Sequence, residues 1–149
     1  MNLLVIISLF TSISIAETKT SIDSKTRISA PNELHSGCDL YVTGVDSKAE
    51  FLKFFKDLKL ASASRDPDQM VKLINFPMSF NPGKRKLIKD EKDFKRKFST
   101  IFTQKIFEMI SKQEVDQLFC RDQGVMFGSG ELWIGVVGKK IGIKSINQF

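Results

Sequence analysis

The spacing of apolar residues constrains this chain more than any other feature, because it changes character part-way along. From Leu118 onward apolar residues come in short runs: Leu118-Phe119-Cys120, Gly124-Val125-Met126-Phe127, Glu131 to Val137, and Lys140 to Ile146. Asp122-Gln123-Gly124, Gly128-Ser129-Gly130 and Gly138-Lys139 separate them at hairpin distances, with glycine available for the tight turns. This pattern predicts an antiparallel meander. Upstream, Ser47-Lys48-Ala49-Glu50 reads as a capping box. Phe51, Phe54, Phe55 and Leu58 follow at i, i+3, i+4 and i+7, one face of a helix. Asp66-Pro67 predicts a second helix with Met70, Val71 and Ile74 on its buried side. Asp90 predicts a third, with Phe94, Phe98, Ile101 and Phe102 on one face, and Thr103 a fourth carrying Ile106, Phe107 and Ile110. Between them Asn75-Phe76-Pro77 ends the second helix. Alternating Phe76, Met78 and Phe80 then predict a short edge strand, a position that tolerates proline. Helices first and strands last imply an α+β chain, its helices packed on one face of a curved antiparallel sheet.

The first residues bear on location. Leu3 to Phe10 is apolar but too short to span a bilayer, and Ser14-Ile15-Ala16 places small residues where signal peptidase needs them. The expectation is a signal peptide over 1–16 and an exported chain, periplasmic or secreted. No cysteine sits immediately after the cleavage site, so no stable membrane anchor is expected. Residues 17–46 are expected to be a flexible leader, with order beginning near Gly37, and residues 47–149 the folded domain. Two cysteines, Cys38 and Cys120, remain after processing. An even count in an oxidising compartment predicts one disulfide, worth roughly 4 kcal/mol from loop entropy; the alternative is two unpaired thiols.

The formal net charge is +6, which favours an acidic partner or an anionic envelope surface. Export, and the lack of a basic-aromatic RNA-binding signature or zinc-finger spacing, argue against nucleic acid. Lys84, Arg85, Lys86, Lys89, Lys92, Lys95, Arg96 and Lys97 crowd around Asp90, Glu91 and Asp93. Lys84, Arg85 and Lys86 are the candidate residues for steering an acidic partner, and a solvated helix face is the alternative.

The order helix, helix, short strand, helix and long antiparallel strands resembles the NTF2-like (nuclear transport factor 2-like, SnoaL-like) superfamily. The closer similarity is to its small exported bacterial proteins, mostly of unassigned function. The matching residues are Asn75-Phe76-Pro77, Phe94 with Phe98, Ile101-Phe102-Thr103, the run Gly124 to Ile134, and Ile143-Lys144-Ser145-Ile146-Asn147. The resemblance implies a cone-shaped domain over 47–149, its pocket lying between the sheet and the helices. The superfamily hosts isomerases, dehydratases, ligand binders and toxin-immunity proteins, so the fold does not choose a function.

On the strand from Glu131, Glu131 and Trp133 share one face and Leu132 and Ile134 the other. If the first pair faces the cone, they become a polar handle and an aromatic wall for a ligand. The expected reading is plainer: Glu131 ends a strand and Trp133 is core. Acid–base catalysis would draw on a positioned base and an oxyanion donor. His35 is the single histidine and Tyr41 the single tyrosine, both near the leader, while Asp116 and Asp122 flank a strand. His35 with Cys38 makes only half a metal site. The reading is therefore a non-catalytic binding protein, without cofactor or metal. It engages an acidic protein partner in an immunity- or inhibitor-like role, or a small apolar ligand in the cone. The alternative is an isomerase- or dehydratase-like enzyme using a pocket carboxylate.

Overall fold

The computed structural model describes residues 33–35 and 37–149. The signal peptide expected over 1–16 and the leader to residue 32 lie outside the described residues. Two short strands, β1 (Glu33–His35) and β2 (Cys38–Asp39), pair antiparallel ahead of a 3-10 turn at Leu40–Thr43. Cys38 and Leu40 are fully buried and Val45 nearly so. Cys38, Leu40 and Val45 therefore belong to the core, although they precede residue 47.

The caps legible in the sequence start the helices. In α1 (Lys48–Ser64) the Ser47 hydroxyl accepts from the Glu50 N–H. In α2 (Pro67–Met70) the Asp66 carboxylate accepts from the Asp68 N–H at 2.8 Å. In α3 (Glu91–Ile101) Asp90 accepts from the Asp93 N–H at 2.8 Å. Thr103 precedes α4 (Gln104–Lys112) with extended backbone but makes no side-chain cap. Each bond satisfies one of the N–H groups a helix leaves open at its start. Among the described residues no helix is long and apolar enough to cross a membrane.

Six strands form one sheet: β3 (Ile74–Asn81), β4 (Lys86–Ile88), β5 (Phe119–Arg121), β6 (Gly124–Phe127), β7 (Leu132–Val137) and β8 (Lys140–Asn147). Their order is β4-β3-β8-β7-β6-β5. β5 to β8 are the expected antiparallel meander. The fold class is α+β, but the sheet is mixed rather than antiparallel, because β3 pairs parallel with β8. After the β3–β4 hairpin the chain crosses through α3 and α4 to the far edge. The meander then returns and lays its last strand beside β3 in the same direction. A parallel pair needs such a long connection, so no local pattern reveals it. β3 is consequently an interior strand, not the expected edge. Its register with β8 slips between the pairs Ile74–Ile143 and Ser79–Ser145, and Pro77, which has no N–H to give, falls inside that break.

The layer between helices and sheet is packed with rings and long aliphatic side chains. Phe55 meets Phe127 at 5.4 Å between ring centres, which ties α1 to β6. Phe94, Phe98, Phe102 and Phe107 form a continuous train with successive centres 5.7, 5.4 and 5.7 Å apart. Met70, Ile74, Met78, Ile88, Ile134 and Ile143 are fully buried among them. Burying side chains of this size contributes about 1.5–3 kcal/mol each.

Candidate functional site: a groove on the open face of the sheet

The helix-facing side of the sheet takes Met78 and Phe80 of β3, Leu132 and Ile134 of β7, and Ile143 and Ile146 of β8, all buried. The pleat sends the alternate residues to the other face. There a groove of about 580 Å³ is lined by strand and turn residues and by no helix. Its floor follows the register: Ser79 of β3 lies beside Ser145 of β8, which lies beside Trp133 of β7, while Asn81 lies beside Asn147. Arg85 from the β3–β4 turn and Gln123 from the β5–β6 turn close its two sides.

Lys144 enters the groove because the β7–β8 ladder slips between the pairs Trp133–Ser145 and Ile134–Ile143. The extra residue leaves Lys144 and Ser145 consecutive on β8 without burying either. The Lys144 stem then lies over two glycines. A Cβ built at Gly135 would stand 2.9 Å from its Cδ and 3.4 Å from Nζ, and one built at Gly124 would stand 3.5 Å from its Cε.

Among the described residues no carboxylate lines the groove. Arg85 and Lys144 form no ion pair with any described residue. Two cations, hydroxyls, amides and one indole therefore face a common space. Such a set can hold an anion and hydrogen-bond a polar ring.

The structure separates Glu131 from Trp133. Trp133 is half-buried and lines the groove, so it is not a core residue. The cause is the pleat: Leu132 and Ile134 take the buried positions on either side. Glu131 precedes β7 and lines a different recess with Lys105 and Phe149. Its carboxylate accepts from the Ser129 N–H at 2.6 Å, and Lys105 Nζ lies 4.0 Å away. Gly128, in the left-handed region at φ 63°, donates to Gln113 Oε1 at 2.7 Å. The glycine-rich run thus closes on its own acid as a locked turn. The two candidate residues line different recesses.

The basic segment divides. Lys95 pairs with Asp68 at 2.5 Å and Glu91 at 2.6 Å. Arg96 and Lys97 both pair with Asp93, at 2.5 and 2.8 Å. The Lys97 hydrogen bond, aided by the Lys89 N–H and Arg96, holds the Asp93 carboxyl below its ordinary range against the effect of burial. The Asp68 hydrogen bond, followed by that of Glu91, raises the Lys95 ammonium above its ordinary value. Lys84, Arg85 and Lys86 are exposed on the β3–β4 turn and strand, and no ion pair with a described residue neutralises them.

Cys38 and Cys120 are joined, with Cα atoms 4.7 Å apart. The bond ties β2 to β5 and leaves Cys38 no thiol to serve beside His35. Sequence reasoning missed Ser79, Asn81, Ser145, Asn147 and Lys144 as groove residues. The alternations Met78-Ser79-Phe80-Asn81 and Ile143 to Asn147 carried that signal, but polar residues at every second position read equally as a solvated face.

Compared with known proteins, the chain matches no family model, no curated protein and no solved structure.

Proposed function

We propose that this chain is an exported, non-catalytic binding protein of NTF2-like architecture that engages an acidic protein partner through its β3–β4 turn. The observation that carries the reading is the division of the basic segment. Lys95, Arg96 and Lys97 are neutralised by Asp68, Glu91 and Asp93, whereas Lys84, Arg85 and Lys86 are exposed without such partners among the described residues. Unpaired exposed cations on one turn generate the field that draws an acidic surface. The ring-filled layer between helices and sheet supports a protein partner over a small apolar ligand in a cone. The use of Glu131 to cap Ser129 supports binding over catalysis by a pocket carboxylate. The helix-first order and the sheet packed beneath support the NTF2-like assignment, and the disulfide supports export.

The test is capture from the native envelope extract on the immobilised protein, with wild type and Lys84→Glu/Lys86→Glu side by side. An acidic protein retained by the wild type, released by salt and lost with the double variant, is expected. Equal retention by both overturns the reading.

A further inference from the structure

We propose that the groove on the open face of the sheet is a sugar-acid site. The pyranose ring rests on the Trp133 indole, its hydroxyls meet Ser79, Ser145, Asn81 and Asn147, and its carboxylate lies between Lys144 and Arg85. This goes beyond the reading above and shares only Arg85 with it, since Lys84 and Lys86 do not line the groove.

The lining selects the ligand chemistry in three steps. Charge comes first: two cations enter the groove without a carboxylate, so the ligand is anionic. Lys144 is also preorganised. Its stem lies along Gly135 and Gly124, where any other residue would place a Cβ against it. Apolar contact of the stem keeps the ammonium low over the sheet rather than extended into water.

Neutral polar groups come second. Two hydroxyls and two amides stand as register neighbours on adjacent strands, Ser79 beside Ser145 and Asn81 beside Asn147. Asn147 Nδ2 already donates to the Gly130 carbonyl at 2.7 Å, which orients its amide and leaves Oδ1 as acceptor. Closely set groups that both donate and accept match the vicinal hydroxyls of a sugar ring. A bare phosphate would use their donors and leave their acceptors unmatched.

Third is the single ring. Trp133 is the chain's one tryptophan, half-buried among hydroxyls and amides. An indole face takes the C–H face of a pyranose while polar neighbours take the hydroxyl edge. The groove lies over interior strands β3, β8 and β7, whose backbone groups are already paired in the ladder. An extended acidic peptide would instead add at a sheet edge through its own backbone. The volume, about 580 Å³, is that of a small-ligand site.

The test uses the indole N–H resonance of Trp133, a single signal in a proton–nitrogen spectrum of this chain. The probes are tetragalacturonate, its methyl ester, inorganic phosphate and adenosine monophosphate. Tetragalacturonate is expected to shift the resonance saturably, with the ester roughly tenfold weaker. Lys144→Met and Arg85→Gln are each expected to weaken tetragalacturonate to the level of the ester. Unchanged thermal unfolding of both variants shows that the fold is intact. No saturable shift overturns the proposal, as does equal binding of the ester. Phosphate or adenosine monophosphate binding as tightly as tetragalacturonate assigns the groove to phosphate ligands and likewise overturns it.

Discussion

Asn75 crosses the sheet at Gly142. Its amide leaves β3, passes β8 where a Cβ at Gly142 would stand 2.7 Å from its Cγ, and donates to the Gly135 carbonyl of β7 at 3.0 Å. The same Nδ2 reaches the Lys140 carbonyl at 3.2 Å, and Lys140 Nζ returns a bond to the Ile74 carbonyl at 2.6 Å. These side chains stitch three strands together where the β3–β8 ladder slips. Asn75 is 3% exposed, so its bonds have no water to replace them. Asn75→Leu is expected to cost about 1–3 kcal/mol. Gly142→Ala, which forces the added methyl against the amide, is expected to cost about the same. Urea unfolding of each variant measures both.

Glu131 gives a contrasting prediction, because it is a structural acid and not a groove residue. Glu131→Ala removes the acceptor for the Ser129 N–H and is expected to destabilise by about 1–2 kcal/mol. The Trp133 indole resonance and its response to tetragalacturonate are expected to stay as in wild type. A loss of response at unchanged stability would place Glu131 in a ligand site after all.

What could be read from the sequence follows the range of the interaction. Ser47, Asp66 and Asp90 act within three residues, so the helix starts were visible. The meander was visible because each hairpin is local and marked by glycine. The parallel pairing of β3 with β8 joins residues such as Ile74 and Ile143 from distant parts of the chain, and nothing near either predicts it. Asn75 looked like a helix-ending residue for the same reason: its partners, Gly135 and Lys140, are far along the chain. Trp133 could have been placed from parity alone, since Leu132 and Ile134 claim the buried face. The preference of aromatic residues for cores outweighed that signal. Lys144 was beyond reach, because only the bulge in β8 brings it into the groove.

Asp93 makes acid stability testable. Its carboxyl titrates below the ordinary value in the folded chain, chiefly through the Lys97 hydrogen bond. A depressed folded value stabilises above the unfolded one, about pH 3.9, and the contribution disappears as pH falls through the folded value. Asp93→Asn is therefore expected to lower the unfolding midpoint at neutral pH. The gap to wild type is expected to close as pH drops below about 4. A gap that stays constant down to acid unfolding would show that packing, and not the ion pairs, is what Asp93 supplies.

The Cys38–Cys120 bond encloses a chain separation of 82 residues. Closing a loop of that size restricts the unfolded chain and is worth roughly 4 kcal/mol. The Cys38→Ser/Cys120→Ser pair is expected to unfold at much lower urea. Reductant is expected to move the wild type toward the same midpoint and leave the double variant unmoved. Thiols of the oxidised, unfolded wild type that react with an alkylating reagent without reductant would contradict the pairing.

Gly135 tests whether the position of Lys144 matters, apart from its charge. Gly135 has no left-handed backbone to protect, and the three atoms nearest to its Cβ would all belong to the Lys144 side chain: Cδ at 2.9 Å, Cε at 3.2 Å and Nζ at 3.4 Å. A flexible side chain yields before a strand does. Gly135→Ala is therefore expected to lift Lys144 off the sheet while changing stability by less than about 1 kcal/mol, since alanine also restricts the unfolded chain. All cations of the groove remain, so long-range attraction is unchanged. What is lost is the fixed height of the ammonium beside Trp133, and with it the preorganised half of the carboxylate clamp. Tetragalacturonate is expected to bind Gly135→Ala several-fold more weakly than wild type, between wild type and Lys144→Met. Wild-type affinity in Gly135→Ala would show that Lys144 acts only as a diffuse charge.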